Sequence, residues 1–178
     1  MKGFKKVTLS MCIVLACVVL LAGCSGGEAP IRFYIEDYNL AFMAPQEWER
    51  TENYNFDLKI TDGKAYFSVM VYYSIDLAAD ETPKDVYAWQ NNDLFSKREN
   101  VEVVEEEQII QYDGGTITAT LFSAEREHKK NYYYSCLVQL DDNEDIFMWV
   151  LINATPSYIL KNQNTYFDMI KTMEYVEE

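Results

Sequence analysis

Seven apolar side chains follow one another at 146–152, Ile-Phe-Met-Trp-Val-Leu-Ile. A strand made of such a run has no polar side, so it is predicted to be covered on both faces. The segment 64–74 behaves alike, with Phe67, Val69 and Val71 of one parity and Tyr66, Met70 and Tyr72 of the other. Together with shorter apolar runs, the pattern predicts strands at 31–35, 39–43, 56–61, 64–74, 103–111, 116–124, 132–140 and 146–153. Asp62-Gly63 joins the third and fourth as a hairpin, and Asp-Gly suits a type I′ turn because both turn residues then take positive φ. The later turns fall at 113–115, 125–131 and 141–145. Two helices interrupt the strands. Thr82-Pro83-Lys84-Asp85 reads as an N-cap, Pro at the first helical position and a short acid in the capping-box place. That helix is expected to reach Lys97 with Val86, Trp89 and Leu94 inward. Thr155 caps the second, where Ile159, Gln163, Phe167, Ile170 and Met173 recur along one face. With one helix after each block of strands, the class is α+β. The expected architecture is a three-layer α/β/α sandwich whose mostly antiparallel sheet has six to eight strands.

The first residues belong to a different kind of pattern. Lys2, Lys5 and Lys6 precede an apolar stretch at 7–21, broken only by Thr8 and Ser10. It ends in Leu21-Ala22-Gly23-Cys24, which resembles the lipobox of bacterial lipoproteins. The resemblance implies cleavage between Gly23 and Cys24 and a diacylglyceryl group on the Cys24 thiol. Two acyl chains anchor stably where one is reversible. The other reading, a retained membrane helix, needs about 20 apolar residues, more than this run supplies. The chain therefore divides into a signal peptide at 1–23, a lipidated cysteine with a small polar linker at 24–30, and one domain at 31–178. Its expected place is the outer face of the bacterial cytoplasmic membrane, or the outer membrane where the organism has one.

Charge narrows the partners. All 29 acidic residues lie beyond residue 24, while three of the 15 basic ones precede it, leaving 12 against 29 and a balance of −17. That field repels nucleic acid and other polyanions, so nucleic-acid binding is excluded. The expected form is a monomer, held to the membrane through its lipid and meeting an envelope protein, peptide or glycan.

Candidate chemistry is sparse. Cys136 stands alone on an apolar strand, where a thiol is a small buried hydrophobe unless a cation activates it. The lone His128 sits in a charged hairpin tip that offers no orienting partner. Asp141-Asp-Asn-Glu-Asp145 starts like a calcium loop, yet Ile146 and Ile152 occupy the places that need Gly and Glu. It reads as a polar turn. Glu105, Glu106 and Glu107 suit an exposed sheet edge. No catalytic residue, cofactor or metal ligand is assigned. Trp48, Tyr72, Tyr132 and Tyr134 are the candidate lining of a groove for sugar rings or an extended peptide, since aromatic faces give large contact at low entropic cost. The competing reading makes them core and rim of the two-faced sheet. A hydrolase using paired carboxylates is the alternative function; no pair of acids is singled out for it.

The opening segment Tyr38-Asn-Leu-Ala-Phe-Met-Ala-Pro45, followed by Trp48, resembles the start of PsbP/Mog1-like domains, as does the order hairpin, helix, four-strand meander, helix. Glu47 departs from the Gly common in that family. The resemblance implies a non-catalytic accessory or binding domain and carries over no site residue.

Overall fold

A computed structural model describes residues 29–52 and 55–176. The signal peptide, Gly23, Cys24 and the linker up to residue 28 lie outside the described residues. The elements are β1 (Ile31–Ile35), β2 (Leu40–Ala44), β3 (Glu49–Arg50), β4 (Leu58–Thr61), β5 (Ala65–Tyr73) and α1 (Pro83–Ser96), followed by β6 (Glu99–Tyr112), β7 (Gly115–Arg126), β8 (Lys129–Leu140), β9 (Ile146–Ala154), α2 (Pro156–Lys171) and β10 (Glu174–Tyr175). Seven strands form one antiparallel sheet in the order β3-β4-β5-β9-β8-β7-β6.

The apolar run at 146–152 occupies β9, the middle strand, and all seven of those side chains are buried. One face of the sheet carries Phe67, Val69, Met148, Val150, Ile152, Tyr134 and Val138. It is covered by Ile159, Tyr166, Phe167, Met169 and Ile170 of α2, and by Phe33, Ile35, Leu40 and Phe42. These last four come from β1 and β2, which do not extend the main sheet; with β10 they form a small sheet of their own, β1-β2-β10. The opposite face carries Tyr133, Leu137, Phe147, Trp149 and Leu151 under Val86 and Tyr87 of α1. The α+β sandwich is therefore as expected, with the difference that one outer layer is a helix plus a three-stranded sheet.

Local geometry departs from expectation in four places. At Asp62-Gly63 only Gly63 takes positive φ, so the turn is not type I′. Asp62 instead accepts the backbone N–H groups of Lys64 at 2.9 Å and Ala65 at 2.7 Å, an Asx-type turn. The β7–β8 connection is a two-residue turn with Glu127 and His128 both at positive φ, shorter than the expected 125–131. Thr82 does form the capping box with Asp85, whereas Thr155 stands at its helix start without a side-chain cap bond. Finally, Trp89 does not face the core: it is 61% exposed, and the buried residues of α1 are Val86, Tyr87 and Gln90. The stripe runs through a polar Gln, which hides it from a reading by hydrophobicity alone.

Strand β6 begins earlier than expected, at Glu99, and three register shifts interrupt its pairing with β7. Bulges and exposed Glu106 and Glu107 blunt this edge against pairing with another chain.

Two outcomes follow for stability. A Cβ at Gly115 would lie 2.2 Å from the carbonyl oxygen of Gln139. Gly115→Ala is expected to lower unfolding free energy by about 1–3 kcal/mol, read by denaturant titration. Conversely, replacing Glu127-His128 by Asn-Gly puts turn formers where two ordinary residues hold positive φ. It is expected to raise stability by about 1 kcal/mol in the same titration.

Candidate functional site

Register across the main sheet sets two neighbouring rows on the α1 face. One row runs Tyr66, Asn153, Tyr133, and the other runs Lys59, Ser68, Leu151, Ser135. Helix α1 sits over the Ser135 end of the second row, held by polar contacts. The Tyr87 hydroxyl lies 3.1 Å from both Thr120 Oγ1 and the Ser135 carbonyl. The Ser135 hydroxyl donates to Asn91 Oδ1 at 2.5 Å and accepts the Trp149 indole N–H at 2.8 Å. Gln90 donates to the Tyr72 hydroxyl.

Pinned there, the 14-residue helix leaves the β4–β5 side of the face uncovered. A groove of about 680 Å³ lies in that space. Its floor includes Lys59, Tyr66, Ser68, Met70 and Trp149; the helix wall supplies Trp89, Asp93, Lys97 and Arg98. Arg126, Asn131 and Asn153 close the far rim. Lys97 Nζ pairs with Asp93 at 2.7 Å, one helical turn away. Lys59 Nζ lies 4.3 Å from the Tyr66 ring centroid, and burial pulls its ammonium below the ordinary lysine value. Arg98 stands 5.8 Å from the Tyr133 ring centroid and donates from Nε to its hydroxyl at 3.4 Å. Among the described residues neither Lys59 nor Arg98 has a carboxylate ion-pair partner. Among the described residues Arg126 pairs with Glu127 at 3.7 Å, an exposed pair of little strength.

Of the four aromatic residues singled out from sequence, three share the α2 side and the fourth lies across the sheet. Trp48 is 3% exposed in the α2-side core, edge-on to Phe67 and Tyr166 at 6.4 and 6.3 Å. Tyr134 is fully buried on that same side, against Phe167, with its hydroxyl donating to Glu105 at 3.1 Å. Tyr132 packs half-buried beside them. Tyr72 lies on the other face, stacked on Phe147 at 5.2 Å. Strand parity separates them: 132 and 134 share one side of β8, while 72 points to the other side of the sheet. Core and rim is thus the reading that holds for these four. The exposed rings of the groove are Tyr66 and Trp89 instead. Lys59 was the missed signal, a lysine alternating with buried Leu58 and Ile60 and so facing the second side of a two-faced sheet.

The remaining candidates sit apart from the groove. Cys136 is fully buried and burial pushes its thiol up. His128 is exposed at the β7–β8 tip. The 141–145 segment is the β8–β9 turn, where Asn143 Oδ1 accepts the Asp145 N–H at 3.1 Å. Asp141 and Glu144 border a second depression there, both exposed. Among the described residues no three His, Cys, Asp or Glu side chains converge as metal ligands. No helix among them is long and apolar enough to cross a membrane.

Solved structures with the same arrangement decide the fold. The cyanobacterial PsbP protein CyanoP from Synechocystis superposes with a TM-score of 0.61 at 13% identity, over 88% of this chain and 99% of that one. The chain has the PsbP/Mog1 fold. The Ran-binding protein Mog1p of Saccharomyces cerevisiae matches at 0.56 and 11% identity, covering 83% of this chain and 96% of its own. LpqN of Mycobacterium tuberculosis, involved in cell envelope biogenesis, matches at 0.57 and 10% identity over 86% and 87%. No family model matches the sequence, and no curated protein matches it. At these identities the likeness to PsbP and Mog1 concerns the fold, and the site is read from this chain's own residues.

Because Cys136 is enclosed on every side, its thiol is expected to react with an alkylating reagent at least about a thousandfold more slowly in the native protein than in denaturant. Labelling followed by intact mass checks this; equal rates would place the thiol at the surface.

Proposed function

We propose that this protein is a membrane-anchored extracytoplasmic lipoprotein whose PsbP/Mog1-like domain is a non-catalytic binding or accessory module. The observation that carries the binding reading is the α1-side groove. It is open, lined by rings, amides and cations, and among the described residues its lining holds one carboxylate, Asp93, which is tied to Lys97. General acid–base hydrolysis of a glycoside needs two positioned carboxylates, and the described lining of this groove offers one. The fold shared with a Ran-binding protein and with an envelope-biogenesis protein supports the same reading by analogy.

The anchor rests on Leu21-Ala22-Gly23-Cys24. Lipidation at Cys24, after removal of 1–23, would hold a monomeric domain on the outer face of the membrane, where an envelope protein, peptide or glycan is the partner. Expression in a bacterial host with a labelled fatty acid tests this. The expected result is label in the membrane fraction, lost in Cys24→Ala together with accumulation of the uncleaved precursor. An unlabelled wild-type chain, or one recovered from the cytosol, refutes the anchor. Crosslinking in intact cells followed by copurification then identifies the partner.

A further inference from the structure

Lys59, Arg98 and Arg126 reach one groove from three separate stretches of chain: β4, the residue pair after α1, and the end of β7. With Lys97 they set four cations around it against Asp93, which Lys97 already pairs. Those four are a third of the 12 basic residues beyond position 24, in a stretch whose balance is −17. Cations are favoured near a helix C-terminus, which accounts for Lys97 and Arg98. It does not account for Lys59 or Arg126, which stand on strands.

Lys59 is the most informative. It is half-buried, it faces the Tyr66 ring at 4.3 Å, and no carboxylate among the described residues pairs with it. A partly desolvated ammonium without a counter-ion is unfavourable, and an arriving anion relieves that penalty. Trp89, 61% exposed, and Tyr66, 41% exposed, offer ring faces beside the cations. Such faces suit the C–H side of a sugar ring. The volume of about 680 Å³ fits a small ligand. Beyond position 24 and outside the groove, eight basic residues stand against 28 acids, so the field disfavours a long polyanion and selects a compact one.

We propose that this groove binds a small anionic saccharide, its carboxylate or phosphate on Lys59 and Arg98 with Arg126 at the rim, and its ring against Trp89 and Tyr66. The inference rests on the binding-module reading above and is independent of the anchor. Carboxylate and phosphate supply the same chemistry here, and separate probes distinguish them.

The test uses the full chain in nonionic detergent, titrated with glucuronate, glucose 6-phosphate, neutral glucose and inorganic phosphate by calorimetry and tryptophan fluorescence. Saturable binding of glucuronate or glucose 6-phosphate is expected, at least about tenfold tighter than glucose or inorganic phosphate, and weakened by added salt. The tighter of the two names the anion. Lys59→Gln and Arg98→Gln should each weaken it about tenfold with unchanged melting temperature, while Lys161→Gln on α2 leaves it unaltered. Glucose binding as tightly as the sugar acids, an equal loss in Lys161→Gln, or no response to either anion at about 10 mM overturns the proposal. A partner still captured from crosslinked cells by Lys59→Gln would keep the binding-module reading while this site fell.

Discussion

A sheet whose middle strands are apolar on both sides must be covered twice, and the rest of this fold follows from that requirement. Seven consecutive buried residues of β9 leave no face for water. On one side α2 does not cover the area alone, and the β1–β2 hairpin with β10 fills the remainder. On the other side a single helix of 14 residues is available. It docks through the apolar Val86, Leu94 and Phe95 together with Tyr87, Gln90 and Asn91, whose hydrogen bonds need particular partners, so polar geometry helps to fix its position. The groove is the part of the second face that this helix does not reach.

Much of the scaffold was legible in the chain. Apolar runs located the strands, and the Thr-Pro starts located both helices, because these signals depend on neighbours a few residues apart. The separate small sheet was not legible: β2 pairs with β10 across more than 130 residues, and nothing local distinguishes a strand that joins one sheet from a strand that joins another. Trp89 was misplaced for a related reason. Its helix buries a glutamine for its hydrogen bond with Tyr72, and a hydropathy pattern assigns that position to solvent. Of the aromatic residues expected to line a groove, register turns Tyr72 to the α1 face, while Trp48, Tyr132 and Tyr134 pack on the α2 side, Trp48 and Tyr134 buried there. The cations of the groove come from positions 59, 97, 98 and 126, and only the folded register shows that they meet.

Net charge and local charge point in opposite directions in this molecule. The excess of acids acts at long range and governs solubility and encounter. Within the groove four cations gather, two of them, Lys59 and Arg98, with no carboxylate ion-pair partner among the described residues, while Lys97 and Arg126 are paired with Asp93 and Glu127. A balance summed over the composition therefore does not describe the charge at each concavity.

The hydrogen bond from Val176 N–H to the Asn39 carbonyl, with the β2–β10 pairing, gathers both ends of the described domain into the small sheet. That sheet packs on the α2 side, opposite the groove. Pro30 leads into β1 from there. Residues 30 and 176 thus both lie on the face of the sheet turned away from the groove, so a label attached beside either would start clear of the hollow.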